Sequence, residues 1–289
     1  MTGINMPTWQ IEEYLSLPSL LPRVLWANQN QAEVACTRIE YGVHSQQYAL
    51  LCLPGHLDRQ QRTAIFFIPG SGWRMGNPDL FRFIGYFFAR LGFPTILGGY
   101  RLAPAFKFPR QLEDAYCGLE AGLKTMKSKG LAIEKVILGG HSAGAQLASL
   151  LAYDRSESTR RYLSQGDIAG LLLISGPLNF YLCGEGDIFK LIADYVDNRA
   201  AWEQADPIRH VQGDEDIPLL CIHGQKDPLV GLQNAFTFAA QVKPGLSKIQ
   251  VVMGAHHSDL VNLFWAKDHP VAQWITDWLH RCAARKRAA

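Results

Sequence analysis

Residues 136–148 read Val136-Ile137-Leu138-Gly139-Gly140-His141-Ser142-Ala143-Gly144-Ala145-Gln146-Leu147-Ala148. In this stretch an apolar run typical of a buried strand enters a Gly-x-Ser-x-Gly motif, and a helix-forming stretch follows. Glycine is needed two residues before and two residues after Ser142, because side chains there would collide across so sharp a turn. The stretch therefore predicts that Ser142 is a nucleophile exposed at the edge of a sheet. The alternative is a serine that only caps the following helix.

Strand and helix patterns surround this turn. Strands are predicted at residues 33–40, 48–53, 63–69, 94–97, 135–138, 168–174, 217–222 and 248–253. Helices are predicted at residues 79–91, 110–127, directly after Ser142, 232–241 and 271–284. Such alternation implies a mostly parallel sheet with helices on both faces. We therefore predict an α/β fold that forms one domain over residues 1–289.

About forty residues, 175–216, separate two of the predicted strands. This is more than one crossover helix requires. The segment is rich in aromatic and aliphatic residues, among them Phe180, Tyr181, Leu191 and Trp202. We predict a cap insertion that lines a substrate pocket. The alternative, that these side chains only complete the core, stays open.

A serine hydroxyl is a poor nucleophile until a base takes its proton, and an acid usually orients that base. In folds with this turn, the acid and then the histidine follow the serine along the chain. Asp227 follows the strand predicted at 217–222, at the strand's carboxyl end, where catalytic groups collect. After the next strand, both His256 and His257 could serve as the base. Asp227 could instead cap a turn before Pro228.

The negative oxygen of a tetrahedral intermediate needs backbone N–H donors. The loop after the strand predicted at 63–69 supplies Gly70, Ser71 and Gly72, whose small side chains let amides approach a substrate. With the N–H of Ala143, these residues predict an oxyanion hole, in which one donor typically contributes about 3 to 4 kcal/mol. The alternative is an ordinary turn.

Composition narrows the class of protein. The chain has 48% hydrophobic and 19% charged residues and a formal net charge of +2, so it offers no basic field for nucleic acid or a membrane surface. No apolar run is long enough to span a membrane, and residues 1–10 lack the features of a cleaved signal. Six cysteines without a Cys-x-x-Cys pair favour reduced thiols over disulfides or a zinc site. We therefore expect a cytoplasmic protein.

Several motifs together resemble the α/β-hydrolase superfamily, and within it the carboxylesterase, hormone-sensitive-lipase-like and kynurenine-formamidase-like group. Besides the Ser142 motif, they are Tyr100-Arg101-Leu102-Ala103-Pro104, Phe108-Pro109, Leu112-Glu113-Asp114-Ala115, Ala205-Asp206-Pro207-Ile208 and the run from His223 to Val230. The resemblance extends over residues 63–278. It implies the α/β-hydrolase fold, with Trp73, Tyr100 and Arg101 as packing and loop-bracing residues.

The resemblance also decides between the two histidines. In that group the base stands in an Asn-His-Phe-x-x-Val context, which His256-His257-Ser258-Asp259-Leu260-Val261 matches with His257 in the base position. The group's oxyanion loop reads His-Gly-Gly-x-Trp, whereas this chain has Pro69-Gly70-Ser71-Gly72-Trp73. Backbone amides carry the role of that loop, so the hole is expected to persist with a different shape.

These observations predict a serine hydrolase that cleaves a small acyl ester through an acyl-enzyme, with a Ser142, His257 and Asp227 triad. The mechanism requires no metal and no cofactor, and the expected partner is a small acyl substrate. Three alternatives stay open: an aryl formamidase of the N-formylkynurenine type, an acyltransferase, and a non-catalytic binding protein on the same fold. The oligomeric state is also open, a homodimer included.

Overall fold

Residues 34–285 are described by the computed structural model, except residues 57, 76, 157–163 and 266–268; Pro22 and Asn28 are described as well. Residues 1–10, on which the expectation of no cleaved signal depends, lie outside this part of the chain. Within the described part, no helix is both long and apolar enough to cross a membrane.

One eight-stranded sheet runs through the molecule, in the order β1-β2-β4-β3-β5-β6-β7-β8. β1 pairs antiparallel with β2, and β2 with β4, while the remaining neighbours are parallel. The predicted strands and the mostly parallel sheet are confirmed, with strand ends shifted by a few residues. The strands are β1 (Ala35–Glu40), β2 (Tyr48–Leu53), β3 (Thr63–Ile68), β4 (Thr95–Gly98), β5 (Lys135–His141), β6 (Ile168–Ile174), β7 (Leu219–Gly224) and β8 (Ser247–Val252).

Seven α-helices connect or follow these strands in the described residues. They are α1 (Arg82–Arg90), α2 (Arg110–Ser128), α3 (Ala143–Tyr153), α4 (Gly186–Tyr195), α5 (Arg199–Ala205), α6 (Gln233–Gln241) and α7 (Pro270–Ala284). Short 3₁₀ helices cover Pro78–Phe81, Gln165–Asp167, Phe180–Cys183, Pro207–Arg209 and Ser258–Phe264. The helix predicted at 79–91 is divided, because Asn77 accepts a hydrogen bond from the Leu80 N–H and starts a 3₁₀ turn before α1.

Side chains of the buried strands alternate between the two faces of the sheet, because successive residues of a β-strand point in opposite directions. Phe66 of β3 packs in the cluster formed with α2, α3 and α6. Its neighbour Phe67 packs in the cluster formed with α1 and α7. Helices therefore cover both faces, and this confirms the α/β layer arrangement.

A disulfide joins Cys36 of β1 to Cys52 of β2, so the prediction of reduced thiols is wrong for this pair. The two cysteines lie directly opposite each other in the antiparallel register. Spacing along the chain could not reveal this, because the pairing depends on the register of two strands. Cys117, Cys183, Cys221 and Cys282 are free thiols. The cysteines consequently no longer support the expectation of a cytoplasmic protein.

Candidate active site

Ser142 stands at the sharp turn between β5 and α3. Its backbone has φ 52° and ψ −122°, a conformation that a residue with a side chain rarely adopts. A Cβ on Gly140 would overlap the backbone of Gly144, and a Cβ on Gly144 would overlap the carbonyl group of Ile68. The glycines of the motif are therefore required by sterics.

Ser142 is only 4% exposed. The prediction that its hydroxyl is exposed at the edge of the sheet is therefore wrong, because the side chain does not lie on the outer surface of the protein. The loop predicted to form the oxyanion hole covers Ser142 from one side, since a Cβ on Gly70 would lie 2.8 Å from the Ser142 Cβ. His257 covers it from another side, and the side chain faces a cavity that both residues also line.

A continuous chain of hydrogen bonds connects Ser142, His257 and Asp227. His257 Nε2 lies 2.9 Å from Ser142 Oγ, and His257 Nδ1 lies 2.8 Å from Asp227 Oδ2. His257 follows β8 and directly precedes the 3₁₀ helix Ser258–Phe264. The neighbouring His256 turns its Nδ1 toward Asp259, 3.2 Å away. The structure thus brings together Ser142, His257 and Asp227 and leaves His256 outside the chain of bonds.

The Asp227 carboxylate is held by its own loop after β7. Its Oδ1 accepts hydrogen bonds from the N–H groups of Leu229 at 3.0 Å and Val230 at 2.8 Å. Burial raises the pKa of Asp227, but the charge and hydrogen bond of His257, with His223 nearby, outweigh burial and leave the pKa at about 2. The carboxylate is therefore ionised at neutral pH and can orient the imidazole.

Two further histidines, His141 and His223, contact the site, although their positions in the sequence predicted no such role for them. His141 Nε2 lies 3.4 Å from the backbone carbonyl oxygen of His257. His223 Nε2 lies 2.8 Å from the Val230 carbonyl oxygen and 3.4 Å from Asp227 Oδ2. Because a carbonyl oxygen only accepts, each Nε2 carries a hydrogen. Burial lowers the pKa of His223, and burial with the nearby His257 ring lowers that of His141 to about 3.

The predicted oxyanion loop lies beside Ser142. Gly70 contacts Ser142, and the two residues that follow have positive φ angles of 150° for Ser71 and 61° for Gly72. Ser71 Oγ donates to the carbonyl group of Met75 and closes the loop. Ala143 is the first residue of α3, where an N–H has no acceptor within its own helix. The four predicted residues are therefore grouped around the nucleophile.

The residues expected to brace the loops do so through buried contacts. Trp73 is fully buried and stacks on Tyr195 of α4, with ring centroids 4.4 Å apart. Tyr100 donates from its hydroxyl to the Pro69 carbonyl at 3.3 Å. Arg101 forms a two-pronged ion pair with the buried Asp114, with both N···O distances at 2.8 Å.

A cavity of about 940 Å³ opens above Ser142. Apolar side chains on one side come from α4, including Ile188 and Leu191. Charged side chains of Arg74, Asp187 and Lys190 also line it. Arg74 forms an ion pair with Asp194 at 2.9 Å, and Lys190 forms one with Asp187 at 3.1 Å. Other lining residues are Phe81, Ala103, Pro104, Pro228, Leu229, His257, Ser258 and Val261. In the described chain, no group of three or more His, Cys, Asp or Glu side chains is arranged to hold a metal ion.

Comparisons with known proteins agree with this architecture. A family model described as BD-FAE matches residues 51–242. Arylacetamide deacetylase of Bos taurus is 32% identical over 105 residues, which are 35% of this chain and 26% of that protein. Esterase LipQ of Mycobacterium tuberculosis is 23% identical over 244 residues, which are 77% of this chain and 56% of that protein. The chain therefore spans less than two thirds of either relative.

Among solved structures, Esterase B of Lactobacillus Rhamnosis superposes with a TM-score of 0.75 at 20% identity, covering 96% of this chain and 94% of that one. At this identity the likeness concerns the fold. The chain has the α/β-hydrolase fold, and since the family match covers about two thirds of its residues, the chain belongs to the BD-FAE family.

Proposed function

We propose that this chain is a serine esterase that cleaves a small acyl ester through an acyl-enzyme. The observation that carries the proposal is the uninterrupted chain of hydrogen bonds from Asp227 through His257 to Ser142, at the floor of a cavity large enough for a small organic substrate. The names of the relatives, which include a deacetylase and two esterases, support the same reaction class.

In the proposed cycle, Ser142 Oγ attacks the ester carbonyl carbon while His257 Nε2 takes the hydroxyl proton. The carbonyl oxygen becomes negative and is stabilised by backbone N–H groups of the loop at Gly70 to Gly72 and of Ala143. His257 then returns the proton to the departing alkoxide, and an acyl-Ser142 remains. Water, activated by the same imidazole, releases the acid and restores Ser142. Asp227 orients the ring and stabilises its charged form.

Of the three alternatives left open by the sequence, two are supported to different degrees: the aryl formamidase and the non-catalytic binding protein. Hydrolysis of an aryl amide, of which an aryl formamide is one case, is favoured by the match to arylacetamide deacetylase. A binding protein without catalysis is disfavoured, because such a protein has no need for a serine, a histidine and a buried carboxylate at hydrogen-bond distances.

We also propose that residues 175–216 form a cap over the site within a single domain. The segment contains α4 and α5, and Ile188 and Leu191 of α4 line the cavity that opens above Ser142. Leu191 also approaches the oxyanion loop, since a Cβ on Gly72 would lie 3.0 Å from its Cδ1. Other side chains of the segment, such as Tyr195, are buried in the core. The segment therefore also contributes to the core, which was the alternative considered from sequence.

Labelling with a fluorophosphonate tests the proposal directly. The probe phosphonylates only a serine that is activated by a base, so we expect one adduct, located on Ser142 by mass spectrometry of the peptides. Pre-incubation with excess p-nitrophenyl acetate should slow the labelling. A folded protein that remains unlabelled, or that is labelled at another serine, would contradict the proposed function.

The cavity predicts a preference for short acyl chains. We expect p-nitrophenyl esters from acetyl to hexanoyl to have higher kcat/KM than those of about twelve carbons, because the charged side chains of Arg74, Asp187 and Lys190 also line the cavity and would lose hydration beside a long alkyl chain. The series is measured at substrate concentrations below micelle formation. Rates that climb steadily with chain length would instead indicate a lipase-like site.

The pKa shifts predict a simple pH dependence. Asp227, with a pKa of about 2, is ionised throughout the working range, and His141, with a pKa of about 3, is neutral throughout it. Of Asp227, His141 and His257, only His257 is then expected to change the activity, which requires a neutral imidazole, because histidine is the side chain that ordinarily titrates in this pH range. We expect log kcat/KM to rise with pH along a slope of one, and then level off, between about pH 5 and 8. A slope of two would show that a second ionisation controls the site.

A further inference from the structure

A fully buried amide, Gln146, joins three parts of the molecule that meet at the site. Its Oε1 accepts a hydrogen bond at 3.1 Å from Nε1 of Trp73, the residue that directly follows the oxyanion loop. The same oxygen lies 3.4 Å from the Tyr195 hydroxyl of α4. Its Nε2 donates to the Ala205 carbonyl at 2.7 Å, at the end of α5. Gln146 itself belongs to α3, three residues after Ala143.

We infer that Gln146 is a positioning residue that sets the distance between the two halves of the oxyanion hole. One half is the N–H of Ala143, which the helix of Gln146 carries. The other half is the loop from Gly70 to Gly72, which continues directly into Trp73. The hydrogen bond between Trp73 and Gln146 is a direct side-chain link between the two halves. This inference rests on the proposed function.

The loop has its own hydrogen bonds, such as that from Ser71 Oγ to the Met75 carbonyl, but the backbone conformation at Trp73 is not one that local preference favours. Trp73 has a φ of 58°, in the left-handed region that disfavours a residue with a side chain. A backbone of this kind persists only where its surroundings hold it. Stacking on Tyr195 restrains the plane of the Trp73 ring, but two stacked rings can still slide past each other. The Ala103 N–H holds the backbone carbonyl of Trp73 at 2.8 Å, and the hydrogen bond to Gln146 fixes the position of the ring along the direction in which stacking lets it slide.

Small displacements matter at this place. Oxyanion donors act only when they lie at hydrogen-bond distance from the position that the oxygen reaches in the transition state. Loss of the link should therefore lower kcat while KM, which reflects the ground state, changes little. Gln146 does not touch the reacting atoms and acts through Trp73 and α3.

The test combines Gln146→Met, which keeps the length of the side chain but removes its amide, with Trp73→Phe, which removes the N–H and keeps an aromatic ring. We expect each variant to lower kcat for p-nitrophenyl acetate about 10- to 100-fold, with KM within about threefold. The kcat of the double variant should be close to that of the less active single variant, because the two substitutions remove the same hydrogen bond. Inhibition by phenylboronic acid, which forms a tetrahedral adduct, should weaken in parallel with kcat/KM.

Ser149→Ala is the matched control. Ser149 is fully buried on the same helix and donates to the Gln146 backbone carbonyl at 2.7 Å. It should stay within about twofold of the parent in kcat. If Gln146→Met does not fold, Trp73→Phe with the boronate measurement decides the question.

An equal loss in Ser149→Ala, a normal kcat in folded Gln146→Met, or losses that multiply in the double variant would each overturn the inference. Failure of the proposed function would look different. The parent protein itself would then neither hydrolyse the ester nor take a fluorophosphonate label, and the inference would fall with it.

Discussion

Ser142→Ala is expected to abolish ester hydrolysis while the protein stays folded. The variant loses a single hydroxyl group, so no acyl-enzyme can form, and we expect kcat to fall at least about ten-thousandfold. The fold should tolerate the change, because alanine keeps the Cβ that the strained turn already accommodates and only the hydrogen bond to His257 disappears. Turnover of p-nitrophenyl acetate and thermal unfolding of both proteins provide the measurement.

Ser149→Ala serves as the control for this experiment as well, since it removes a hydroxyl from a buried serine of the adjoining helix. It should keep its activity and lose stability by about 1 kcal/mol, the usual cost of one buried hydrogen bond. Undiminished hydrolysis by a folded Ser142→Ala protein would end the claim that Ser142 is the nucleophile.

Much of the fold could be predicted because its signals are local. The apolar runs of β3, β5 and β6 are buried on both faces, as parallel strands between helices must be, and their composition alone predicted them. The glycines around Ser142 likewise predicted the turn, because the five residues of the motif can form it only where side chains are absent at these two positions. At such places the local sequence is sufficient to predict the local structure.

Other features depend on long-range contacts and could not be predicted. Cys36 and Cys52 face each other only because β1 and β2 pair in one particular register. Ser142 is buried because the loop at Gly70 and the later His257 both fold over it. Residues alone left His256 and His257 equal, since both follow β8, and family resemblance made the choice. Gln146 gave no signal, because a glutamine in a helix is usually exposed.

The choice of base leads to the second large effect, in which His257→Ala is expected to reduce kcat about a thousandfold or more. Its Nε2 lies 2.9 Å from Ser142 Oγ, so its removal leaves the hydroxyl without a proton acceptor. Asp227→Asn should cause a large but smaller loss. The asparagine keeps the oxygen that binds the Leu229 and Val230 N–H groups, but it presents an amide where His257 Nδ1 needs an acceptor. Steady-state kinetics on p-nitrophenyl acetate measures both variants.

His256→Ala is the matched control, since it removes the same ring from the adjacent residue. We expect its kcat to stay within roughly tenfold of the parent, because His256 is directed toward Asp259 and shares no hydrogen bond with Ser142 or Asp227. A reversed order, with His256→Ala inactive and His257→Ala nearly normal, would move the base by one residue and leave the remaining mechanism intact. Full activity in both single variants and in the double variant would refute the triad, because Ser142 would then react without either imidazole.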